Sequence, residues 1–243
     1  MILWGAKGTI VFTLAGLITA LVVYFVFRGI ESPQKSSLRS NPEHASEEKD
    51  QWSPFCRLST IVVARSIVFY GLNTFIPLYW IGILKESPMM GSSALTILFT
   101  VGMAGTLLGG KLSDKYGYRN IIIWGWVALL PLLYLFTYFQ STFWATALLV
   151  PISLALFTIY SPMLVTGQNY LPNHMGFASG VTIGLAVTIG GVTAPILGRI
   201  ADVSGVTAAL ESLMFIPVIA IAMAVSLPKP CTKSLEEAVA VSR

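Results

Sequence analysis

The sequence predicts an all-α integral membrane protein, a polytopic bundle of seven transmembrane helices, from three observations. The 243 residues are 55% hydrophobic and only 11% charged, and the mean hydropathy is +0.75. Soluble domains carry about 25% charged residues. Most charges are confined to residues 28–57, residues 111–119 and the tail after Leu227. The apolar runs between them are long enough to cross a bilayer, which takes about 20 residues.

Seven apolar segments are predicted to be membrane spans. The first is longer than the ~7–15 apolar residues of a signal peptide, and no small-residue cleavage site follows it, so it is interpreted as a true span. The seven segments are residues 8–27, 58–82, 92–110, 121–139, 143–165, 176–198 and 207–227.

The distribution of Lys and Arg predicts the orientation of these spans. Of the 15 basic residues, eleven fall in segments on one side, three fall on the other side, and Arg65 lies within a span. Cytoplasmic loops carry the excess of Lys and Arg. We therefore expect a multi-pass protein of the cell (plasma or inner) membrane, with its N-terminus outside and its C-terminus in the cytoplasm. The net charge of +4 is explained by orientation, so no nucleic-acid partner is expected.

One long linker divides the chain into one span plus six. Residues 29–56 are rich in Ser, Pro and mixed charge and contain too few apolar residues to fold. They are predicted to be a cytosolic linker, with one helix in residues 1–28 before it. A six-helix domain is expected over residues 57–228, and a cytosolic tail over residues 229–243.

Residues 100–117 are similar in sequence to residues 188–205, 88 positions further along the chain, and this internal similarity is called the echo. The two copies lie at the C-terminal ends of the second and fifth of the last six spans, on opposite predicted membrane faces. This arrangement predicts a three-plus-three inverted repeat. The alternative is convergent helix-end chemistry, because Gly and Asp are both common at turns. The identical pairs are Thr100/Thr188, Gly102/Gly190, Gly110/Gly198, Asp114/Asp202 and Gly117/Gly205, and Lys111/Arg199 is a conservative pair.

The stretch GKLSDKYGYR at residues 110–119 resembles the signature loop of the major facilitator superfamily, which joins the second and third helices of each six-helix half. Segments 64–80 and 171–202 also look like drug exporters of the fosmidomycin-resistance type. Such transporters have twelve spans in two halves. The resemblance therefore implies the last helix of the first half, the linker and the whole second half, as a fragment, a split gene or a truncated copy. The residues that match the signature loop are Gly110, Leu112, Asp114, Lys115, Gly117 and Arg119.

The resemblance implies transport of small organic molecules by alternating access, with drug or antibiotic efflux by proton antiport as the expected activity. The implied partners are a small-molecule substrate, the lipid bilayer, and either a missing N-terminal half or a second copy of the chain. The loop of Gly110, Lys111, Asp114, Lys115, Gly117 and Arg119 is expected to be a conformational latch between the two halves. Gly198, Arg199, Asp202 and Gly205 are its counterparts in the second copy of the repeat.

Arg65 is the one charged side chain well inside a predicted span. A charge within the bilayer marks a functional site by default. We expect Arg65, together with Asn73 in the same span, to contact an anionic substrate group or to form an intramembrane ion pair. The alternatives are that Arg65 reaches the inner interface, or that it makes a structural ion pair.

Gly176, Gly180 and Gly184 recur every fourth residue and make one smooth helix face. Such a face allows close helix packing, and a sliding gate is the alternative. The aromatic residues of the second span are candidates to line a drug pocket, although Tyr79 and Trp80 equally suit an interfacial belt. They are Phe69, Tyr70, Phe75, Tyr79 and Trp80.

Cysteines and histidines are few and far apart, so no metal and no cofactor are expected. No cluster of His, Asp or Glu lies at one depth, which argues against a membrane enzyme. Two alternatives stay open: a seven-helix receptor, and a half-transporter that works as a dimer. Movement of solute across the membrane distinguishes a transporter from a receptor.

Overall fold

The computed structural model describes residues 50–228. The predicted first span, residues 29–49 of the predicted linker and the predicted tail lie outside this range. Within it, every regular element is helical. The fold class predicted from the sequence is therefore confirmed for the described part of the chain.

Eight α-helices and one short 3-10 helix form six spans that are long and apolar enough to cross a membrane within residues 50–228. Helices α4 and α5 together make the fourth span, and α7 and α8 make the sixth. The elements are α1 (Trp52–Gly82), α2 (Pro88–Tyr116), α3 (Tyr118–Tyr138), α4 (Thr142–Thr158), α5 (Tyr160–Tyr170), the 3-10 helix (Pro172–His174), α6 (Met175–Ser204), α7 (Val206–Ser212) and α8 (Phe215–Val225).

Several helices extend beyond the apolar runs that predicted them. Helix α1 begins at Trp52, so residues 52–56 are helical rather than part of the linker. Pro54 is compatible with this start because proline is tolerated in the first turn, where its missing N–H has no intrahelical acceptor. An apolar run marks only the stretch that crosses hydrocarbon, and a helix continues into the polar region on either side.

Two spans are interrupted, and each break precedes a proline. The fourth span breaks at Ile159, before Pro162, and the sixth breaks around Leu213, before Pro217. Proline removes one backbone hydrogen bond, and its ring clashes with the carbonyl four residues earlier. Other prolines are accommodated inside continuous helices, namely Pro77, Pro131, Pro151 and Pro195.

The six spans alternate in direction. The six-helix unit that they form within residues 50–228 therefore has two distinct ends. At the near end, where α1, α3 and α6 begin, Arg57 of α1 donates a hydrogen bond to the carbonyl of Ser226, just after α8, at 2.8 Å. At the far end, where α2, α4 and α7 begin, the hydroxyl of Thr142 donates to the Glu86 carboxylate at 2.9 Å. The second and fifth spans therefore finish at opposite ends of the unit.

Helices α2 and α4 form the most extensive contact in the unit, through small residues of α2. A Cβ at Gly105 would lie 3.1 Å from the carbonyl oxygen of Leu154, and one at Gly109 would lie 2.9 Å from the Cα of Thr158. The hydroxyl of Thr158 donates to the carbonyl of Gly105 at 3.1 Å. Glycine is required at these positions because the two backbones approach each other directly.

Candidate functional site

Arg65 lies in the middle of α1, on the face that packs into the bundle. Its exposed fraction is only 7%, although Arg is almost never fully buried without a partner. Because the side chain is enclosed by α4, α5 and its own helix, it does not extend to the membrane interface. The alternative that Arg65 reaches the interface therefore does not describe this structure.

The end of α4 supplies the hydrogen-bond acceptor for Arg65. The Nε group donates to the carbonyl oxygen of Leu156 at 3.3 Å. Leu156 lies in the last turn of α4, where carbonyls have no intrahelical partner and the helix dipole is negative. The break at Ile159 thus creates a suitable place for a cation inside the bundle.

Aromatic rings surround the guanidinium. Its central carbon lies 4.6 Å from the ring centroid of Tyr160, 5.4 Å from that of Phe69 and 6.0 Å from that of Phe157. A cation within about 6 Å of a ring centroid is attracted by the negative face of the ring. The rings stabilise the charge without neutralising it.

No carboxylate forms an ion pair with Arg65 within residues 50–228, where the one ion pair joins His174 to Asp50 at the near end. The guanidinium instead borders a cavity of about 280 Å³ between α1, α2, the α4–α5 span and α6. Tyr70 and Tyr160 also line this cavity, and in the described part of the chain neither hydroxyl has a hydrogen-bond partner. The cavity thus combines one unneutralised cation with two phenol groups and apolar walls.

The structure brings together only part of what the sequence placed at this site. Arg65, Phe69 and Tyr70 line the cavity, whereas Asn73 does not. Phe75, Tyr79 and Trp80 do not line it either, because they are buried in the core. A role for Asn73 therefore stays a prediction. Sequence reasoning missed Phe157 and Tyr160, which lie more than ninety residues from Arg65 in the chain. The one signal that could have found them is the nearby Pro162, which predicts a helix interruption at their depth.

The predicted latch loop is not a loop. Helix α2 continues to Tyr116, so Lys111, Asp114 and Lys115 are helical, and Gly117 alone forms the corner before α3. Gly117 has a φ of 86°, a left-handed conformation that favours glycine. The charged residues of the motif therefore lie on two helices that meet at a single non-helical residue.

Two charged residues of this corner have different partners. Asp114 accepts a hydrogen bond from the hydroxyl of Tyr118 at 2.9 Å, while Arg119 donates to the carbonyl of Val225 at the end of α8. This hydrogen bond connects α3 to the last turn of α8. The hydrogen bond from Arg57 goes to the carbonyl of the next residue, Ser226. Asp114 has no ion pair in residues 50–228. Its role as a latch stays a prediction.

The corner at Gly205 repeats the geometry of the corner at Gly117. Gly205 has a φ of 90°, and its N–H donates to the carbonyl four residues earlier at 2.8 Å, as the N–H of Gly117 does at 2.8 Å. In both corners, the backbone N–H of the residue four positions after the glycine donates to the glycine carbonyl oxygen at 3.3 Å. Asp114 lies at the near end and Asp202 at the far end. The backbone therefore reproduces the echo seen in the sequence, with the inverted placement that the repeat requires.

Comparison with known proteins assigns the family. The family model described as Major Facilitator Superfamily matches residues 2–195 of the 243. This chain belongs to the Major Facilitator Superfamily. Members of this family are transporters rather than enzymes, and the six apolar spans make this a multi-pass membrane protein.

Two curated relatives support this assignment. The chain is 30% identical over 153 residues to the Uncharacterized MFS-type transporter YfnC of Bacillus subtilis (strain 168). The aligned region is 63% of this chain and 35% of the relative. It is 35% identical over 122 residues to the Fosmidomycin resistance protein of Escherichia coli (strain K12), covering 50% of this chain and 30% of the relative. The chain spans about a third of the length of these relatives.

For a major facilitator chain, the face of α6 that carries Gly176, Gly180 and Gly184 is notable because it is exposed. No atom of a neighbouring element lies within 4 Å of a Cβ built on any of the three. Close packing on this face therefore does not occur within residues 50–228, although the sequence pattern predicts it. Packing of these glycines against something outside the described residues stays a prediction.

Proposed function

We propose that this chain takes part in moving small organic anions across a membrane by alternating access, as an exporter of drug-like compounds driven by proton antiport. The observation that carries the proposal is Arg65 in its cavity. A buried cation with no counter-ion costs several kcal/mol unless something compensates it. A bound anionic group would supply that compensation.

The chemistry of the cavity favours a planar or tetrahedral anion attached to an apolar body. The guanidinium presents a rigid fork of N–H donors that matches carboxylate and phosphate geometry. The phenol groups of Tyr70 and Tyr160 add two hydrogen-bond donors, and Phe69 and Phe157 add apolar surface. A neutral polar solute would gain little from such an arrangement.

A second six-helix unit, either from another polypeptide or from a second copy, is the partner that we infer for the open side of this cavity. Large apolar side chains are exposed around it on α2 and α6, including Met103 (69%), Leu107 (68%) and Val187 (60%). The exposed glycine face of α6 lies on one of the same two helices. Such a surface fits another helical bundle with which it encloses the substrate.

Proton coupling also points to a second unit. Intramembrane acids are the usual proton carriers in transporters. No Asp or Glu lines the Arg65 cavity. We therefore place the proton-binding carboxylate outside the described residues, facing Arg65 across the substrate path.

Export of drug-like compounds is supported by one relative, whose name is Fosmidomycin resistance protein. The test is uptake into inverted bacterial membrane vesicles that contain the full chain, energised by a proton gradient. Fosmidomycin and a panel of phosphonates are expected to accumulate above the level of empty-vector vesicles, and the neutral diesters of the same phosphonates are not. A protonophore is expected to abolish the accumulation. Equal uptake by empty-vector vesicles would overturn transport by this chain together with a second copy of itself.

We infer that the near end faces the cytoplasm of a bacterial cell membrane. Among the described residues, the near end carries Arg57, Lys111, Lys115 and Arg119, whereas the far end carries Lys85 and Arg199. The excess of basic residues at the near end follows the positive-inside rule. Side-specific labelling of a cysteine at the near end tests this orientation.

A further inference from the structure

A second cavity lies at the far end of the unit, between the end of α3 and the α7–α8 break. Its volume is about 500 Å³, and its walls include Tyr134, Tyr138, Gln140, Glu211 and Phe215. It shares no helix with the Arg65 cavity, which lies between α1, α2, the α4–α5 span and α6. The transport proposal does not use this second cavity.

Glu211 is the feature of this cavity that needs an explanation. It is the one charged residue of the sixth span (Val206–Val225), about 8 Å along the helix from the start of α7 at 1.5 Å per residue. It is exposed, and its carboxylate has no hydrogen bond or ion pair within residues 50–228. No Lys or Arg lines the cavity. An unpaired acid on an otherwise uncharged span marks a functional site by default.

Aromatic residues line the same cavity as this carboxylate. Tyr134 and Tyr138 lie one turn apart on α3, with nearly parallel rings 6.2 Å between centroids and 18° between planes. Their exposed fractions are 56% and 67%, and that of Phe215 is 74%. Aromatic faces attract organic cations, and ammonium-binding sites are built from them. A carboxylate with exposed aromatic rings therefore suits an organic ammonium group.

The position of the cavity indicates where the ammonium group comes from. The cavity shares no helix with the Arg65 cavity and lies where α3 ends and residues 139–141 begin. Phospholipid headgroups occupy this depth, and Tyr is enriched there. The Gln140 amide has no hydrogen bond in the described part of the chain and lies on the same wall, where it can donate to a phosphodiester.

We propose that this cavity binds the headgroup of a phospholipid with a primary ammonium group, of the ethanolamine type. The ammonium donates charge-assisted hydrogen bonds to the Glu211 carboxylate and lies against the Tyr134 and Tyr138 rings. The amide of Gln140 binds the phosphate. The rings attract primary and quaternary ammonium groups alike. Only a primary ammonium can donate hydrogen bonds to the Glu211 carboxylate, and an anionic headgroup would be repelled by it, so this carboxylate selects the ethanolamine headgroup over both.

The test is the lipid retained by the full chain when it is purified from membranes that contain ethanolamine, choline and glycerol headgroups, measured by mass spectrometry. The wild-type protein is expected to retain the ethanolamine lipid preferentially. Glu211→Gln is expected to lower this retention about tenfold, the factor that corresponds to loss of one charge-assisted bond. Glu211→Lys is expected to shift retention toward the anionic glycerol lipid.

Asp202→Asn is the matched control, because Asp202 is another exposed far-end acid that does not line the cavity. It is expected to retain the ethanolamine lipid like the wild type. Unchanged retention in Glu211→Gln, with a thermal midpoint equal to that of the wild type, would overturn the proposal. Equal retention of the choline lipid would overturn the choice of a primary ammonium. Displacement of the lipid by millimolar soluble glycerophosphoethanolamine would assign the site to a soluble amine and overturn the lipid source.

Discussion

Replacing Arg65 with methionine is expected to lower the affinity for an anionic substrate by roughly 10- to 100-fold. A hydrogen bond to a charged group contributes about 1.5–3 kcal/mol, and each 1.4 kcal/mol corresponds to a factor of ten. Methionine keeps a similar length and fills the cage of Phe69, Phe157 and Tyr160 with apolar volume. The protein is therefore expected to stay folded, with a thermal midpoint no lower than that of the wild type. The measurement is concentration-dependent uptake of the phosphonate that gives the largest signal in inverted vesicles.

Two further variants test whether the effect depends on the guanidinium of Arg65 rather than on the loss of any positive charge. Arg65→Lys keeps the charge but loses the planar group that lies against Tyr160, so an intermediate affinity is expected. Lys85→Met removes an exposed cation at the far end and is expected to leave uptake unchanged, because Lys85 does not line the cavity. Wild-type uptake by Arg65→Met would remove Arg65 from the substrate site.

Gly109→Ala is expected to have the largest effect on stability of any single methyl addition to α2. The new Cβ would meet the backbone of Thr158, whose carbonyl carbon lies 2.9 Å from the Cβ position. Backbone cannot rotate away as a side chain does, so the two helices must separate. Overpacking of this kind costs about 1–3 kcal/mol. The check is the thermal midpoint of the purified chain in detergent, followed by tryptophan fluorescence.

Gly180→Ala is the matched control for this prediction. No atom lies within 4 Å of a Cβ at Gly180, and alanine is favoured over glycine in a helix by about 1 kcal/mol. The midpoint of this variant, measured on monomeric protein in detergent, is expected to equal or exceed that of the wild type. If Gly109→Ala were as stable as Gly180→Ala, the close approach of α2 and α4 would be contradicted.

These two glycines also show what the sequence could and could not predict. Gly105 and Gly109 have the same four-residue spacing as Gly176 and Gly180. Only the first pair packs against another helix in the described residues. A spacing pattern shows that close approach is possible, but the arrangement of neighbouring helices decides whether it occurs.

Other features were readable because they depend on local chemistry. The apolar runs predicted all six described spans, and the isolated charge singled out Arg65, which is buried and borders a cavity. The echo between Gly117 and Gly205 predicted two matching corners. By contrast, Tyr160 reaches Arg65 only because α4 ends beside α1. This contact depends on tertiary packing, which no local pattern contains.

The most direct test of the inverted repeat is side-specific labelling of two single-cysteine variants. Asp114→Cys and Asp202→Cys are made in a background with Cys56→Ser and Cys231→Ser, and each is treated with a membrane-impermeant maleimide in intact cells and in inverted vesicles. Residue 114 is predicted to react only in inverted vesicles, and residue 202 only in intact cells. Reaction of both cysteines from the same side would contradict the two inverted triplets of helices.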